Sequence, residues 1–234
     1  NKKYCFTCDV CNHEFESRLF DVTRTKGQWC PYCVKYSSKL CNDDNCITCY
    51  KKSFASYDGV TSLGNLKIDC WNTEKNKVKP RDVTKSSHKK YLFTCDVCNH
   101  DFYSSLDNVT KGKWCPYCKY NKLCNDNNCI FCKNKSFASY DGVTSLGLRK
   151  VECWSEKNKV KPRDVMKCSG KKYLFTCDVC NHDFDSSLNV VTNGHWCPYC
   201  VEHNSKICNE TDCIFCKNKS FASFDGVTSL GNLK

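Results

Sequence analysis

The sequence predicts a tandem array of small zinc-stabilised α+β modules with short β-hairpins and short helices, and three observations lead there. Long segments of the chain recur three times, 25 of its 234 residues are cysteine, and its apolar residues are too few for one large core. The 40% hydrophobic fraction includes cysteine, and without it less than a third of the chain is apolar. Modules with so thin a core need a disulfide or a metal to fold. No stretch approaches the roughly 18 consecutive apolar residues of a membrane-spanning helix, so no membrane partner is expected.

The repeat is plain in the residues. Tyr4 to His13 returns at Tyr91 to His100 and at Tyr173 to His182, and Trp29-Cys30-Pro31-Tyr32-Cys33 returns at Trp114 to Cys118 and Trp196 to Cys200. The segment Asp58 to Gly64 is identical at Asp141 to Gly147 and Asp225 to Gly231. A further stretch, Trp71 to Val83, has its partner at Trp154 to Val165. The expected units are residues 1–70, 71–153 and 154–234, the first and last incomplete, as in a fragment of a longer array.

Cysteine spacing carries the chemistry. Each unit holds two C-x2-C pairs separated by a hairpin-length loop: Cys8/Cys11 with Cys30/Cys33, Cys95/Cys98 with Cys115/Cys118, and Cys177/Cys180 with Cys197/Cys200. This is a zinc pattern, because a tight knuckle places two sulfurs about 2.3 Å from one ion and a second knuckle completes the tetrahedron. Each unit also holds a C-x4-C-x2-C set: Cys41/Cys46/Cys49, Cys124/Cys129/Cys132 and Cys208/Cys213/Cys216. Three thiolates need a fourth ligand. Cys70 and Cys153 each follow the last cysteine of a set by 21 positions and are the expected fourth ligands. The same spacing places a further cysteine three residues beyond Lys234. Five closed four-cysteine sites and a sixth clipped one are therefore expected.

Other readings fit less well. A disulfide framework suits C-x2-C pairs in a Lys-rich repeat poorly. Cys-Pro-Tyr-Cys as a redox dithiol would need a βαβ context that the surrounding sequence lacks. His13, His100 and His182 could join a mixed site, but with four thiolates at hand a hairpin-turn role, the ring bonded to backbone, is expected. Cys5 aligns with Leu92 and Leu174 and is expected as a small buried hydrophobe; Cys168 aligns with Ser86 and reads as a tolerated substitution.

Local structure follows. Residues 90–94 read as a strand entering the first knuckle, and His100 to Thr110 as a hairpin ending near Lys111-Gly112-Lys113. Cys129 to Tyr140 reads as a short helix carrying two ligands at its start and stopped by Gly142. A knuckle, a hairpin and a ligand-bearing helix make a treble-clef or zinc-ribbon arrangement. The tryptophans Trp29, Trp71, Trp114, Trp154 and Trp196 are expected as core residues covering the metal sites.

Trp, an Asn four or five positions on, Pro-Arg-Asp-Val, Lys-Lys-Tyr-x-Phe-x-Cys-x2-Cys-Asn-His and Trp-Cys-Pro-Tyr-Cys together resemble the zinc-ribbon (treble-clef) repeat domain abundant in giant DNA viruses. The resemblance covers nearly all of each unit and implies zinc ligation by Cys95, Cys98, Cys115, Cys118 and their repeats. It further implies nucleic-acid binding or a structural role among viral proteins, located in the reducing host cytoplasm or nucleus or in the virion. The second cysteine set rests on spacing alone.

The formal net charge of +11 counts thiols as neutral. A zinc ion held by four thiolates carries two negative charges net, so the expected sites cancel the +11 entirely. What remains is its distribution. Residues 75–93 hold Lys79, Arg81, Lys85, Lys89 and Lys90, and residues 157–175 hold Lys161, Arg163, Lys167, Lys171 and Lys172. One basic strip per period could track a phosphate backbone; lysines guarding a strand edge are the plainer explanation. With only five arginines, base-specific readout is not expected. The leading function is a DNA- or RNA-binding module without sequence specificity, the alternative a structural or protein-interaction scaffold. An enzyme is not expected, because no catalytic constellation repeats.

Overall fold

The computed structural model describes residues 2–24, 29–34, 39–119, 122–200, 206–210 and 212–223. The third copy of the Asp-Gly-Val-Thr-Ser-Leu-Gly segment, at Asp225 to Gly231, lies outside the described residues. The chain forms two compact units, residues 1–120 and 121–234.

Among the described residues, three two-stranded antiparallel hairpins set the architecture. The first unit contains β1 (Lys3–Thr7) paired with β2 (Glu14–Arg18), followed by a single-turn helix α1 (Leu19–Thr23) and by α2 (Ile47–Lys52) and α3 (Thr73–Asn76). It continues with β3 (Lys90–Thr94) paired with β4 (Asp101–Ser105) and α4 (Leu106–Thr110). The second unit contains α5 (Ile130–Lys135), β5 (Lys172–Thr176) paired with β6 (Asp183–Ser187), α6 (Leu188–Thr192) and α7 (Ile214–Lys217). None of the described helices is long and apolar enough to cross a membrane.

Each hairpin turns on its first cysteine knuckle. The backbone N–H of Cys95 donates to His100 O, and that of Asn99 to Cys95 O. Asn12, Asn99 and Asn181 all take positive φ, between 56° and 58°, which asparagine tolerates better than most residues. The hairpin is thus β3 against β4 with the knuckle as its tip, and the segment expected to fold back as a second arm, Leu106 to Thr110, is helical. Ser105 makes the difference: its side chain accepts from Asn108 N–H and starts α4.

The connector between hairpins packs onto the next one. Asn72 N–H donates to Leu92 O and Thr94 N–H to Cys70 O, so residues 70–72 run beside β3. The carboxamide of Asn76 donates to Leu92 O and accepts from Leu92 N–H, both at 2.8 Å, and Asn158 clasps Leu174 the same way. That clasp explains the Asn four or five residues after each Trp. The core then gathers Phe54, Cys70, Trp71, Tyr91, Phe93, Phe102, Leu106, Val109 and Trp114, with Cys95 and Cys115 at its base. It is an aromatic stack in which Phe93 meets Trp71 at 5.5 Å and Trp114 at 5.4 Å, both edge-on. The second unit repeats it around Phe137, Phe175, Phe184, Leu188 and Val191. Packing therefore runs across residues 70/71 and 153/154, where the sequence repeat suggested boundaries.

Three further expectations change. Cys5 is exposed on β1 rather than buried. Trp29 is 36% exposed, whereas Trp71 and Trp114 are buried as expected. The helix expected from Cys129 to Tyr140 ends at Lys135, far short of Gly142: Ser136 caps it, its N–H donating to Cys132 O and Lys133 O and its hydroxyl to Lys133 O.

Candidate metal centres

The paired knuckles bring four sulfurs together in each hairpin: Cys8, Cys11, Cys30 and Cys33; Cys95, Cys98, Cys115 and Cys118; Cys177, Cys180, Cys197 and Cys200. Cross-knuckle Sγ–Sγ distances are 3.6 Å for Cys8–Cys33, 3.4 Å for Cys11–Cys30, 3.6 Å for Cys95–Cys118 and 3.5 Å for Cys98–Cys115. A disulfide bond is about 2.05 Å. A zinc tetrahedron with 2.3 Å bonds has sulfur–sulfur edges of about 3.8 Å. The spacing fits the ion and excludes the bond.

The thiols respond to their surroundings unequally. Burial pushes Cys98 and Cys115 up to about 12. At Cys95 burial works against ionisation, but hydrogen bonds from the Cys98 and Val97 backbone outweigh it and lower the pKa. A metal-free set therefore holds protons at neutral pH, which zinc must displace.

The second set corrects the sequence expectation. In the first unit Cys41, Cys46 and Cys49 gather with His13. His13 Nε2 lies 3.3 Å from Cys46 Sγ and 3.5 Å from Cys49 Sγ, close to the roughly 3.5 Å edge of a mixed nitrogen–sulfur zinc tetrahedron. In the second unit His182 Nε2 lies 3.3 Å from Cys213 Sγ and 3.5 Å from Cys216 Sγ, with Cys208 N–H donating to Cys216 Sγ. Cys70 and Cys153, the expected fourth ligands, are buried elsewhere: Cys70 in the aromatic core beside Trp71, Cys153 beside Trp154. Burial raises both thiols to about 11. The regular 21-residue interval reflects the length of the repeat and not proximity. The set at Cys208, Cys213 and Cys216 needs no cysteine beyond Lys234.

Local structure explains why histidine wins. The left-handed Asn12 turns the chain so that His13 leaves the knuckle toward the segment that follows the hairpin, and its ring stacks on Tyr32 at 4.4 Å. Tyr32 belongs to the Cys-Pro-Tyr-Cys knuckle, so one side chain of the first site braces a donor of the second. His100 stacks on Tyr117 and His182 on Tyr199 in the same way. On the other side, Cys46 is the N-cap of α2, its sulfur accepting from Cys49 N–H, so both cysteines of that pair sit on one helical turn. Within unit 2, Cys129 caps α5 likewise. The signal was present in the sequence: each repeat holds seven recurrent cysteines of these two sets and one recurrent histidine, eight donors, enough for two tetrahedra.

The basic residues divide. Lys79, Lys89, Lys90, Lys161, Lys167, Lys171 and Lys172 are exposed, and Lys85 is half-buried. Arg81 is instead buried, and its Nη2 donates to Cys41 Sγ and Asp43 O. Arg163 Nη2 donates to Cys124 Sγ at 3.7 Å and Asp126 O at 2.6 Å. These two arginines, candidates for phosphate contact, are spent on the second metal sets.

Half-buried four-sulfur and histidine–three-sulfur sets recurring on small hairpin modules define a zinc-binding tandem repeat protein. Residues 68–122 and 151–203 match the family described as a probable treble clef zinc finger domain. The matched regions run from the Trp connector through the paired knuckles, leaving the second set outside. The chain is also 35% identical over 197 residues to an uncharacterized protein of Acanthamoeba polyphaga mimivirus, a match covering 82% of this chain. The chain spans less than half, 43%, of that protein.

Proposed function

We propose that the protein is a zinc-stapled module that holds nucleic acid by its phosphate backbone, without reading sequence. Cys8, Cys11, Cys30 and Cys33 and their repeats hold one ion per hairpin. His13 with Cys41, Cys46 and Cys49, and His182 with Cys208, Cys213 and Cys216, hold the second type. Each set is complete with four protein donors, which supports structural rather than catalytic zinc and a protein that is not an enzyme.

The observation that carries the nucleic-acid reading is the recurrence, once per period, of exposed lysines on the connector and at the start of the strand it leads into: Lys79, Lys89 and Lys90, then Lys161, Lys167, Lys171 and Lys172. Lysine is a point charge suited to phosphate and poor at bidentate base contacts. With Arg81 and Arg163 turned inward and Arg149 donating to Ala138 O and Tyr140 O, three of the five arginines have internal roles, in keeping with binding that ignores sequence. Duplex and single-stranded DNA binding should weaken steeply between 50 and 200 mM salt, on the order of tenfold or more if three phosphates are engaged. It should fall further when Lys85, Lys89 and Lys90 become Ala. Absence of binding at low salt would overturn the reading.

A specific observation favours the scaffold alternative. The loop at Asp58 to Gly64 reaches the following knuckle: Thr61 Oγ1 donates to Asp96 Oδ2 at 2.6 Å and Asn65 Nδ2 to the same oxygen at 3.0 Å. The loop still leaves Val60 and Leu63 exposed, as Val143 and Leu146 are in the next copy. A repeated apolar tip suits contact with protein.

A further inference from the structure

Arg81 occupies a position that a solvent-seeking guanidinium would avoid. It is 8% exposed, and its Nε and Nη1 are buried with no hydrogen-bond partner. No carboxylate forms a salt bridge with it among the described residues. Its Nη2 meets Cys41 Sγ at 3.8 Å and also Asp43 O. Burying an unpaired charge in this way is costly. Arg163 repeats the arrangement in the second unit, with Nε and Nη1 again buried and without partners and Nη2 on Cys124 Sγ. The same predicament twice in one chain calls for a common counter-charge.

The metal set supplies it. One neutral histidine, three thiolates and one zinc ion carry a single net negative charge, where four thiolates would carry two. We propose that Arg81 is a positioning residue that neutralises the zinc-loaded His13/Cys41/Cys46/Cys49 set, and that Arg163 does the same for the set containing Cys124. Each arginine enters from the Pro-Arg-Asp-Val segment that leads into the next hairpin. The contact therefore latches that connector onto the preceding metal set. Arginine fits because the two in-plane N–H groups of its Nη2 serve the sulfur and the carbonyl together, whereas lysine offers one compact, strongly hydrated point of charge.

The test uses the full zinc-loaded chain, with N-ethylmaleimide labelling resolved cysteine by cysteine by peptide mass spectrometry. Losing a charge-assisted hydrogen bond to the sulfur should expose it to the reagent. In Arg81→Met, Cys41 should label on the order of tenfold faster, as loss of one such bond implies. Cys8 and Cys30 on the neighbouring set, and Cys124 beside the intact Arg163, should be unchanged. Arg81→Lys, which keeps the charge but loses the planar Nη2 that meets both acceptors, should fall between, and Arg163→Met should transfer the effect to Cys124. A Cys41 rate equal to wild type in Arg81→Met would overturn the proposal. So would a rise shared by Cys8 and Cys95, because Arg81 would then be holding the fold at large; and so would Arg81→Lys behaving like Arg81→Met, because charge would then be irrelevant.

Discussion

The first and second hairpins share a sequence and differ in their cover. Phe15 and Phe102 are both 5% exposed, and Cys8, Cys30, Cys95 and Cys115 are all fully buried. Farther from the metal they part. Tyr4 is 40% exposed and Tyr91 only 9%; Leu19 is 51% exposed and its counterpart Leu106 is fully buried. The second hairpin has the connector carrying Phe54 and Trp71 laid against β3. The hairpin thus has two layers: a metal layer buried alike in both, and an aromatic layer that the connector builds over the second. The polar contacts follow. In the second hairpin Asp96 accepts from Thr61 and Asn65, while buried Lys67 lies 5.3 Å from the Trp114 ring. In the first, Trp29 Nε1–H donates to the corresponding Asp9 at 3.2 Å.

The largest expected effect erases the comparison. Removing zinc with a chelator should unfold both hairpins, seen as loss of amide dispersion and reversed by adding zinc, since the metal layer is common to them. Retention of fold without metal would contradict the two-layer picture. Next, His13→Ala should lower the zinc content by one ion per chain in native mass spectrometry, whereas Cys70→Ala should leave it unchanged while destabilising the second hairpin's core. The opposite pattern would restore Cys70 as a ligand. Smaller again, Trp71→Ala should cost about 3–5 kcal/mol, the range for truncating a buried aromatic. Amide exchange should quicken across β3 and α4 and stay unchanged across β1. The smallest effect is Thr61→Val, which leaves an oxygen of Asp96 short of a donor and should cost about 1 kcal/mol in denaturant unfolding, with no change in the first hairpin.

Much of this was legible in the residues. Each knuckle is a local object: two cysteines three positions apart on a tight turn carry their geometry with them, and the recurrence of two such pairs across one hairpin named the first metal set. The strand at residues 90–94 followed from its own side chains. What escaped was relational. His13 and Cys46 are 33 residues apart, and nothing in the spacing of either says that the left-handed turn at Asn12 aims one at the other. The basic strip looked uniform as a string, yet within it Arg81 is buried against a sulfur while Lys79 is exposed.

The sequence by itself determined the hairpins, the knuckles, the repeat and the need for zinc, because short-range sterics and the demand of a thin core for a staple act within a segment of a few tens of residues. Tertiary structure alone decided the fourth donor of the second set, the use of Cys70 as packing, and the inward turn of Arg81. These depend on which connector lies on which hairpin, and therefore on distances across the folded chain and not on intervals along it. The cysteines announced metal by their number; where each one goes was settled by the aromatic layer that the connectors build.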